Sequence, residues 1–324
     1  MVKAIRVLEY GGPEVLRWED YDPGPPGPGE ARVRHTAIGV NFIDVYDRTG
    51  LYPTTLPTGL GREAAGVVEK LGSRTRGLKI GERVAYTLST PGSYAQVRNV
   101  PADRLVRIPR GISDQQAAAM MLKGLTAQYL LRQTRRVKRG DAVLIHAAAG
   151  GVGLIACQWA HHLGARVIGV VGSDDKARLA RRNGCRNVIV GRGADVAAAV
   201  RDLTRGAGVD VVYDGVGKDT FFASLDSLKP LGLMVSYGNA SGPVPPVAPL
   251  ELSRRGSLFL TRPTLFHYTA TRVALERAAR DLFAVVKRGA VKIHIGQSYP
   301  LRDAATAHRD LESRRTTGST ILVP

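Results

Sequence analysis

Between Asp141 and Arg166 the chain runs for 24 residues without an Asp, Glu, Lys or Arg, long enough to cross a bilayer or to lie buried inside a domain. The window also holds Gly150, Gly151, Gly153 and Gly164, together with His146, Gln158, His161 and His162. A glycine cluster at its centre interrupts a spanning helix, because glycine is among the poorest helix formers. What remains is a buried strand over Ala142–His146, a tight turn and a helix over Val152–Leu163. The alternation then continues. Strand-like runs at 166–171, 188–190, 209–213, 233–237 and 257–260 alternate with helix-like segments near 175–183, 194–204 and 220–229. Strands spaced this way predict a parallel sheet with helical crossovers. Six of them fit a doubly wound dinucleotide fold.

The preceding residues have a different texture. Short apolar runs at 3–8, 31–40, 64–71, 83–87, 94–97 and 105–108 are broken by Gly, Pro and Asn, which predicts a β-rich unit. Pro23–Gly29 reads as a surface loop. Helix formers dominate from Asp114 through 115–122 and again over 126–134. After Arg262 the pattern is irregular until a basic amphipathic helix over 271–287, followed by a short strand and tail. A chain of 324 residues, 44% hydrophobic and 23% charged, has the length of two domains and the composition of a folded protein. Its two cysteines, Cys157 and Cys185, are expected to be buried free thiols. Met1–Arg6 carries charge where an export signal needs an apolar core, so a cytoplasmic protein is expected.

The formal charge of +18 is large. It is spread along the chain, densest at Arg135–Arg139 and Arg178–Arg186. Two readings stand: a basic solvated surface, or a face for a polyanion. Aromatics, at 6%, are too few for an extended base-stacking platform.

The chemistry centres on the turn. Ala148-x-Gly150-x-x-Gly153 follows a strand and opens a helix, where glycines let backbone amides approach a pyrophosphate. Gly150, Gly151 and Val152 are therefore candidate cofactor residues, although the first glycine of the usual fingerprint is Ala148. NAD-specific folds place an acidic residue at the end of the second strand, to accept from the ribose 2′-hydroxyl. Here Val171 is followed by Gly172 and Ser173, with Lys176 one helical turn later, so NADPH is favoured. Asp174 and Asp175 leave a second reading open, as ribose ligands or as partners of a helix start.

The run Gly140-Asp141…Ala148-Ala149-Gly150-Gly151-Val152-Gly153…Gln158 resembles the quinone oxidoreductases of the zinc-free medium-chain dehydrogenase/reductase superfamily. So do Gly11–Leu16, Gly39–Asp44, Gly50–Pro53, Tyr237–Gly242 and Leu311–Arg314. The similarity is to the bacterial NADPH:quinone oxidoreductases, relatives of zeta-crystallin. It implies an α/β chain with a GroES-like β-rich catalytic domain, residues 1–124 and 263–324, and a Rossmann NADPH domain, residues 125–262. It also implies a homodimer, with chemistry in the cleft between domains. Asn41, Tyr46 and Tyr52 would then be the catalytic residues, with Phe42, Asp44 and Tyr46 near the nicotinamide half and Tyr129 approaching the cofactor. Ser173, Lys176 and Arg314 would hold the 2′-phosphate. Val216, Gly238, Asn239, Ser241 and Leu265 would contact the nicotinamide side. Relatives often carry a tyrosine after the third strand; that position is Gly191 here, with Arg192 beside it to compensate. Where zinc enzymes of the superfamily have catalytic ligands stand Asn41 and Arg62, within Gly61-Arg62-Glu63-x-x-Gly66, so no metal is expected.

The expected activity is NADPH-dependent, metal-free quinone reduction. The same site could reduce the C=C bond of an enal or enone. A nucleic-acid-binding protein of the zeta-crystallin type is the reading from another class, resting on charge without a recognised module. No tyrosine has a lysine four residues on and there is no Gly-x-Ser-x-Gly elbow, which speaks against short-chain dehydrogenase and hydrolase chemistry.

Overall fold

The uncharged window folds as a strand, a turn and a helix: Ala142–Ile145, fully buried, then Gly151–His162. A computed structural model of the chain describes residues 1–191 and 195–324. No helix among the described residues is long and apolar enough to cross a membrane. The chain forms two compact units. One comprises Met1–Leu125, Thr269–Lys287 and Ile293–Pro324, the other Thr126–Tyr268 and Arg288–Lys292.

The second unit is a six-stranded parallel sheet. Its spatial order is Asn187–Val190, Arg166–Val171, Ala142–Ile145, Val209–Asp214, Leu228–Ser236 and Phe259–Thr261, the 3-2-1-4-5-6 order of a doubly wound dinucleotide fold. Such strands read as unbroken apolar runs because helices cover both faces. The connecting helices are Gly151–His162, Asp174–Arg182, Val196–Leu203 and Phe221–Asp226. Leu144, Ile168, Val212, Phe221, Leu225 and Met234 pack in the core between them. The expected helix over 220–229 stops at Asp226, because the next strand already begins at Leu228. That strand joins its neighbour irregularly, pairing Leu228 with Val209 and then Leu233 with Val211. Pro230, which has no amide to donate, lies in the gap.

This unit runs on to Tyr268, past the expected boundary at 262, because the Tyr268 ring stacks on Tyr129 at 4.5 Å and 12°. Thr134 Oγ1 also donates to the Tyr268 hydroxyl at 3.0 Å. Residues 288–292 join through Gln158, whose amide bonds both backbone groups of Lys292. Cys157 and Cys185 are buried free thiols with sulfurs 3.1 Å apart.

The first unit is built on the long strand Glu30–Val40, whose alternating burial marks a sheet with one face on the core. Glu63–Leu71, Val97–Pro101 and Ser319–Val323 all pair with it antiparallel. The carboxyl-terminal strand thereby returns to the amino-terminal segment. A smaller sheet sets Val2–Val7 between Leu16–Tyr21 and Thr58–Gly59. Leu16–Tyr21 has a largely polar sequence at a sheet edge, which hid it from hydrophobic periodicity. The strand expected over 94–97 instead occupies Val97–Pro101. Tyr94 precedes it, fully buried, with its hydroxyl committed to a polar network.

Candidate functional site

In the second unit the site is made by backbone. Ala147 adopts φ +50° and its carbonyl accepts the Gly150 amide at 2.8 Å, so the chain reverses before the helix starts. A Cβ on Gly153 would lie 2.2 Å from that carbonyl oxygen, which brings helix and turn as close as glycine permits. The first amides of any helix lack an intrahelical acceptor, so those of Gly151 and Val152 present the anion-binding end of Gly151–His162. Ala148 fits in place of a glycine because Gly169 on the next strand yields the space. A Cβ there would meet the Ala148 methyl at 2.8 Å. Sequence spacing gave no sign of that compensation.

At the end of the second strand, Gly172 and Ser173 are exposed and Lys176 half-buried. The Ser173 hydroxyl accepts from the Lys176 amide at 3.4 Å, capping Asp174–Arg182. Asp174 and Asp175 occupy the first turn of that helix, where their charge is favourable, and Asp175 pairs with Arg178. Gly191 donates its amide to Val171 O at 3.0 Å; Arg192, expected to compensate there, lies outside the described residues.

The ends of the fourth and fifth strands are organised by Asp214, which sequence reasoning missed. Its carboxylate is fully buried and accepts from the amides of Val216 (2.8 Å) and Gly217 (3.2 Å). The hydroxyls of Thr220 (2.7 Å) and Ser224 (2.8 Å) complete the set. Val216 O in turn accepts the Ser241 amide and hydroxyl at 2.8 and 2.9 Å. A Cβ on Gly238 would sit 2.4 Å from Gly215 O. Val216, Gly238, Asn239 and Ser241 are thus gathered on two interlocked turns at the carboxyl ends of adjacent strands, where doubly wound folds bind ligands. Leu265 is buried at the start of Leu265–Tyr268, and Tyr129 is buried against Tyr268.

In the first unit the site is made by side chains. Asn41 caps the helix Phe42–Thr49 in a capping box: its amide donates to Asp44 Oδ2 at 2.8 Å and its side chain receives the Asp44 amide. Asn41 Nδ2 donates to Glu63 Oε1 at 2.8 Å, and the same oxygen accepts Lys123 Nζ at 2.7 Å. Glu63 and Lys123 are both buried and were not among the expected residues. Along the helix, the Tyr46 ring meets Tyr52 edge-on at 5.2 Å and Phe42 at 6.3 Å. Tyr46 is buried and Tyr52 half-buried.

Asp44, expected near the nicotinamide, is fully buried. Tyr94 donates to its Oδ2 at 2.9 Å, while Oδ1 is buried without a partner. Burial foremost, then the nearby Asp47 charge, pushes its pKa up to about 7. Behind Tyr94 lies His308, whose Nδ1 faces Arg48 at 3.0 Å and whose Nε2 faces the Tyr94 hydroxyl at 3.1 Å. Arginine only donates, so Nδ1 accepts and Nε2 carries the proton. Burial and the Arg48 charge hold His308 neutral, down to about 3. Arg48 completes the chain by pairing with Glu312 at 2.8 Å. Arg314 follows the helix Ala304–Glu312, exposed, at φ +60°.

Arg62 is also buried, and its guanidinium clamps Asp47 through two bonds of 2.7 Å. A cationic guanidinium and a carboxamide bonded at both ends do not suit zinc, which takes thiolate, imidazole or carboxylate donors. Among the described residues no cluster of three His, Cys, Asp or Glu could hold a metal ion.

Comparison with known proteins places this arrangement. Residues 27–110 match the family described as alcohol dehydrogenase GroES-like domain, and residues 151–284 the one described as zinc-binding dehydrogenase. The zinc in that description does not extend to the donor set found here. The chain is 53% identical to a quinone oxidoreductase of Pseudomonas aeruginosa, with both proteins covered completely. It is 47% identical to a 2-haloacrylate reductase of a Burkholderia species, over all of this chain and 99% of the relative. The crystal structure of Escherichia coli quinone oxidoreductase complexed with NADPH superposes with a TM-score of 0.97 at 49% identity, covering 99% of this chain and 100% of that one. With a GroES-like segment, a dinucleotide-binding segment and full-length identity above one half, the chain belongs to the quinone oxidoreductase family of the medium-chain dehydrogenases/reductases.

Proposed function

We propose that this chain reduces quinones with NADPH by a hydride transfer that needs no metal. The observation that carries the reading is the pair Asn41 and Arg62, a bonded carboxamide and a clamped guanidinium where zinc enzymes have ligands. NADPH, when bound, supplies the hydride, and a proton from solvent completes the hydroquinone. A quinone is already electron-poor and its reduced oxygen is a weak base, so orientation and hydrogen-bond donors suffice. In this reading Asn41, Tyr46 and Tyr52 position the substrate. Gly150, Gly151 and Val152 bind the pyrophosphate, and Gly172, Ser173, Lys176 and Arg314 the 2′-phosphate. Phe42, Tyr129, Val216, Gly238, Asn239, Ser241 and Leu265 line the rest of the cofactor, while Asp44 acts by fixing the helix that carries Phe42 and Tyr46.

In this proposal the first compact unit is the catalytic domain and the second the cofactor domain, and the protein is a cytoplasmic homodimer. Support for the dimer comes from the edge strand Phe259–Thr261, which exposes Phe259 at 59% beside an edge unpaired among the described residues, a ready template for a second copy. A solution mass of one chain would remove it. Buried thiols that share a hydrogen bond of 3.1 Å rather than a disulfide fit a reducing compartment.

The 2-haloacrylate reductase relative favours a second reading, hydride addition to a conjugated C=C bond. Steady-state kinetics after exhaustive dialysis against a chelator, with p-benzoquinone, 2-chloroacrylate and an enone, tests both. The expected result is retained quinone turnover with NADPH preferred over NADH. Activity that vanishes and returns with zinc defeats the proposal, and a higher kcat/KM on the acrylate or enone selects the second reading.

A further inference from the structure

The buried pair Glu63–Lys123 is not used by the proposal above, yet its surroundings are built around it. Glu63 is fully buried and the Lys123 side chain is 6% exposed. Glu63 Oε2 accepts the Leu122 amide at 2.6 Å; Oε1 accepts Lys123 Nζ at 2.7 Å and Asn41 Nδ2 at 2.8 Å. Gly39, directly opposite Glu63 in the paired strands, clears the space: a Cβ there would lie 2.2 Å from Oε1. Buried ion pairs are weak sources of stability, since apolar residues of similar volume often do as well. This pair does something an apolar pair cannot. A carboxylate paired to an ammonium accepts hydrogen bonds only, so it dictates which end of the Asn41 carboxamide faces it.

Nδ2 must turn to Glu63, and the side-chain oxygen takes the helix amide of Asp44. One N–H of the carboxamide then remains uncommitted by these contacts. We propose that Glu63 and Lys123 are positioning residues that lock the Asn41 carboxamide, so that its second N–H donates to the substrate oxygen on which negative charge develops. Lys123 has a further role. Its ammonium offsets the Glu63 carboxylate, which alone would oppose charge building up at that oxygen. The inference rests on Asn41 touching the substrate, and the experiment separates the two claims.

The variants are Glu63→Gln and the charge-free double variant Glu63→Gln/Lys123→Met, with NADPH affinity, kcat for quinone and Tm measured on each. A neutral amide at 63 can present either end to Asn41, so orientation is no longer enforced. Loss of one aimed donor costs a hundredfold or more at a fully formed oxyanion site, and partial misorientation should cost about tenfold in kcat. NADPH affinity should stay within about twofold. The double variant leaves no buried unpaired charge, so its Tm should lie near that of the parent while kcat stays about tenfold low. Parental kcat in either variant would overturn the proposal, because the pair would then serve structure alone. Asn41→Ala tests the underlying reading: quinone turnover at the parental rate would show that Asn41 itself does not act on substrate.

Discussion

Around Gly153 the preparation of the candidate site is made with backbone, within the seven residues Ala147–Gly153, and every element is a conformation or a close approach. Ala147 turns left-handed, Gly153 lets the helix press on the turn, and the helix amides open outward. Around Asn41 the preparation is electrostatic and non-local. Glu63 lies 22 residues from Asn41 in sequence, and Lys123 lies 60 residues from Glu63. Four buried charged side chains there, Glu63, Lys123, Arg62 and Asp47, are held by bonds of 2.6–2.8 Å. A site made of backbone tolerates changes of chemistry but not of volume. A site made of buried side chains tolerates neither the loss of a partner nor a change in its charge.

The most damaging test of the backbone half is Gly153→Val. Its Cβ would fall 2.2 Å from Ala147 O and 2.9 Å from Ala148 backbone atoms, neither of which can swing aside. Overpacking of this kind costs roughly 1–3 kcal/mol, and here the displaced atoms belong to the turn proposed to hold the pyrophosphate. NADPH affinity measured by nicotinamide fluorescence should fall on the order of a hundredfold. Affinity within threefold of the parent would mean that the turn does not hold the pyrophosphate.

The glycine turn was legible in the sequence because its signal is contiguous: strand, Gly150-Gly151-Val152-Gly153, helix. The six-strand alternation was readable for the same reason, each strand being a local apolar run. Glu63 was visible as the residue after Arg62, but nothing in its neighbourhood announced that Lys123 would reach it. Asp214 gives a similar lesson. An acidic residue ending a buried strand looks like a surface group until Val216, Gly217, Thr220 and Ser224 close over it. The exchange of room between Ala148 and Gly169 likewise needs the sheet register before it can be seen.

A middle-sized effect concerns the charges proposed for the 2′-phosphate. If Lys176 and Arg314 hold a 2′-phosphate, each charge-assisted contact contributes about 1.5–3 kcal/mol. Lys176→Ala and Arg314→Ala should each raise KM for NADPH by roughly ten- to a hundredfold and leave NADH almost unchanged. Equal weakening of both cofactors would instead assign them to the fold. Parental enzyme that prefers NADH would return the strand end to Asp174 and Asp175.

The smallest effect separates the two regions by pH. Asp44 is the buried acid of the side-chain half with an oxygen left unbonded. Tyr94 and the Asn41 amide donate to it, Asp47 repels it, and Arg62 attracts it. Its Oδ1 has no partner, so burying the anion is costly and its pKa stands at about 7, against an ordinary 3.8. Between those values the folded protein keeps a proton that the unfolded chain has released. Stability from this group is therefore present below pH 4, declines as pH rises, and is gone above pH 7. Asn in its place can still accept from the Asn41 amide and the Tyr94 hydroxyl but cannot ionise. The Tm of Asp44→Asn relative to the parent should rise between pH 5 and pH 8, by about 5 °C if roughly 2 kcal/mol of linkage is removed. A constant difference across that range would show that Asp44 is ionised throughout, held by Tyr94 and Arg62 more strongly than burial opposes it.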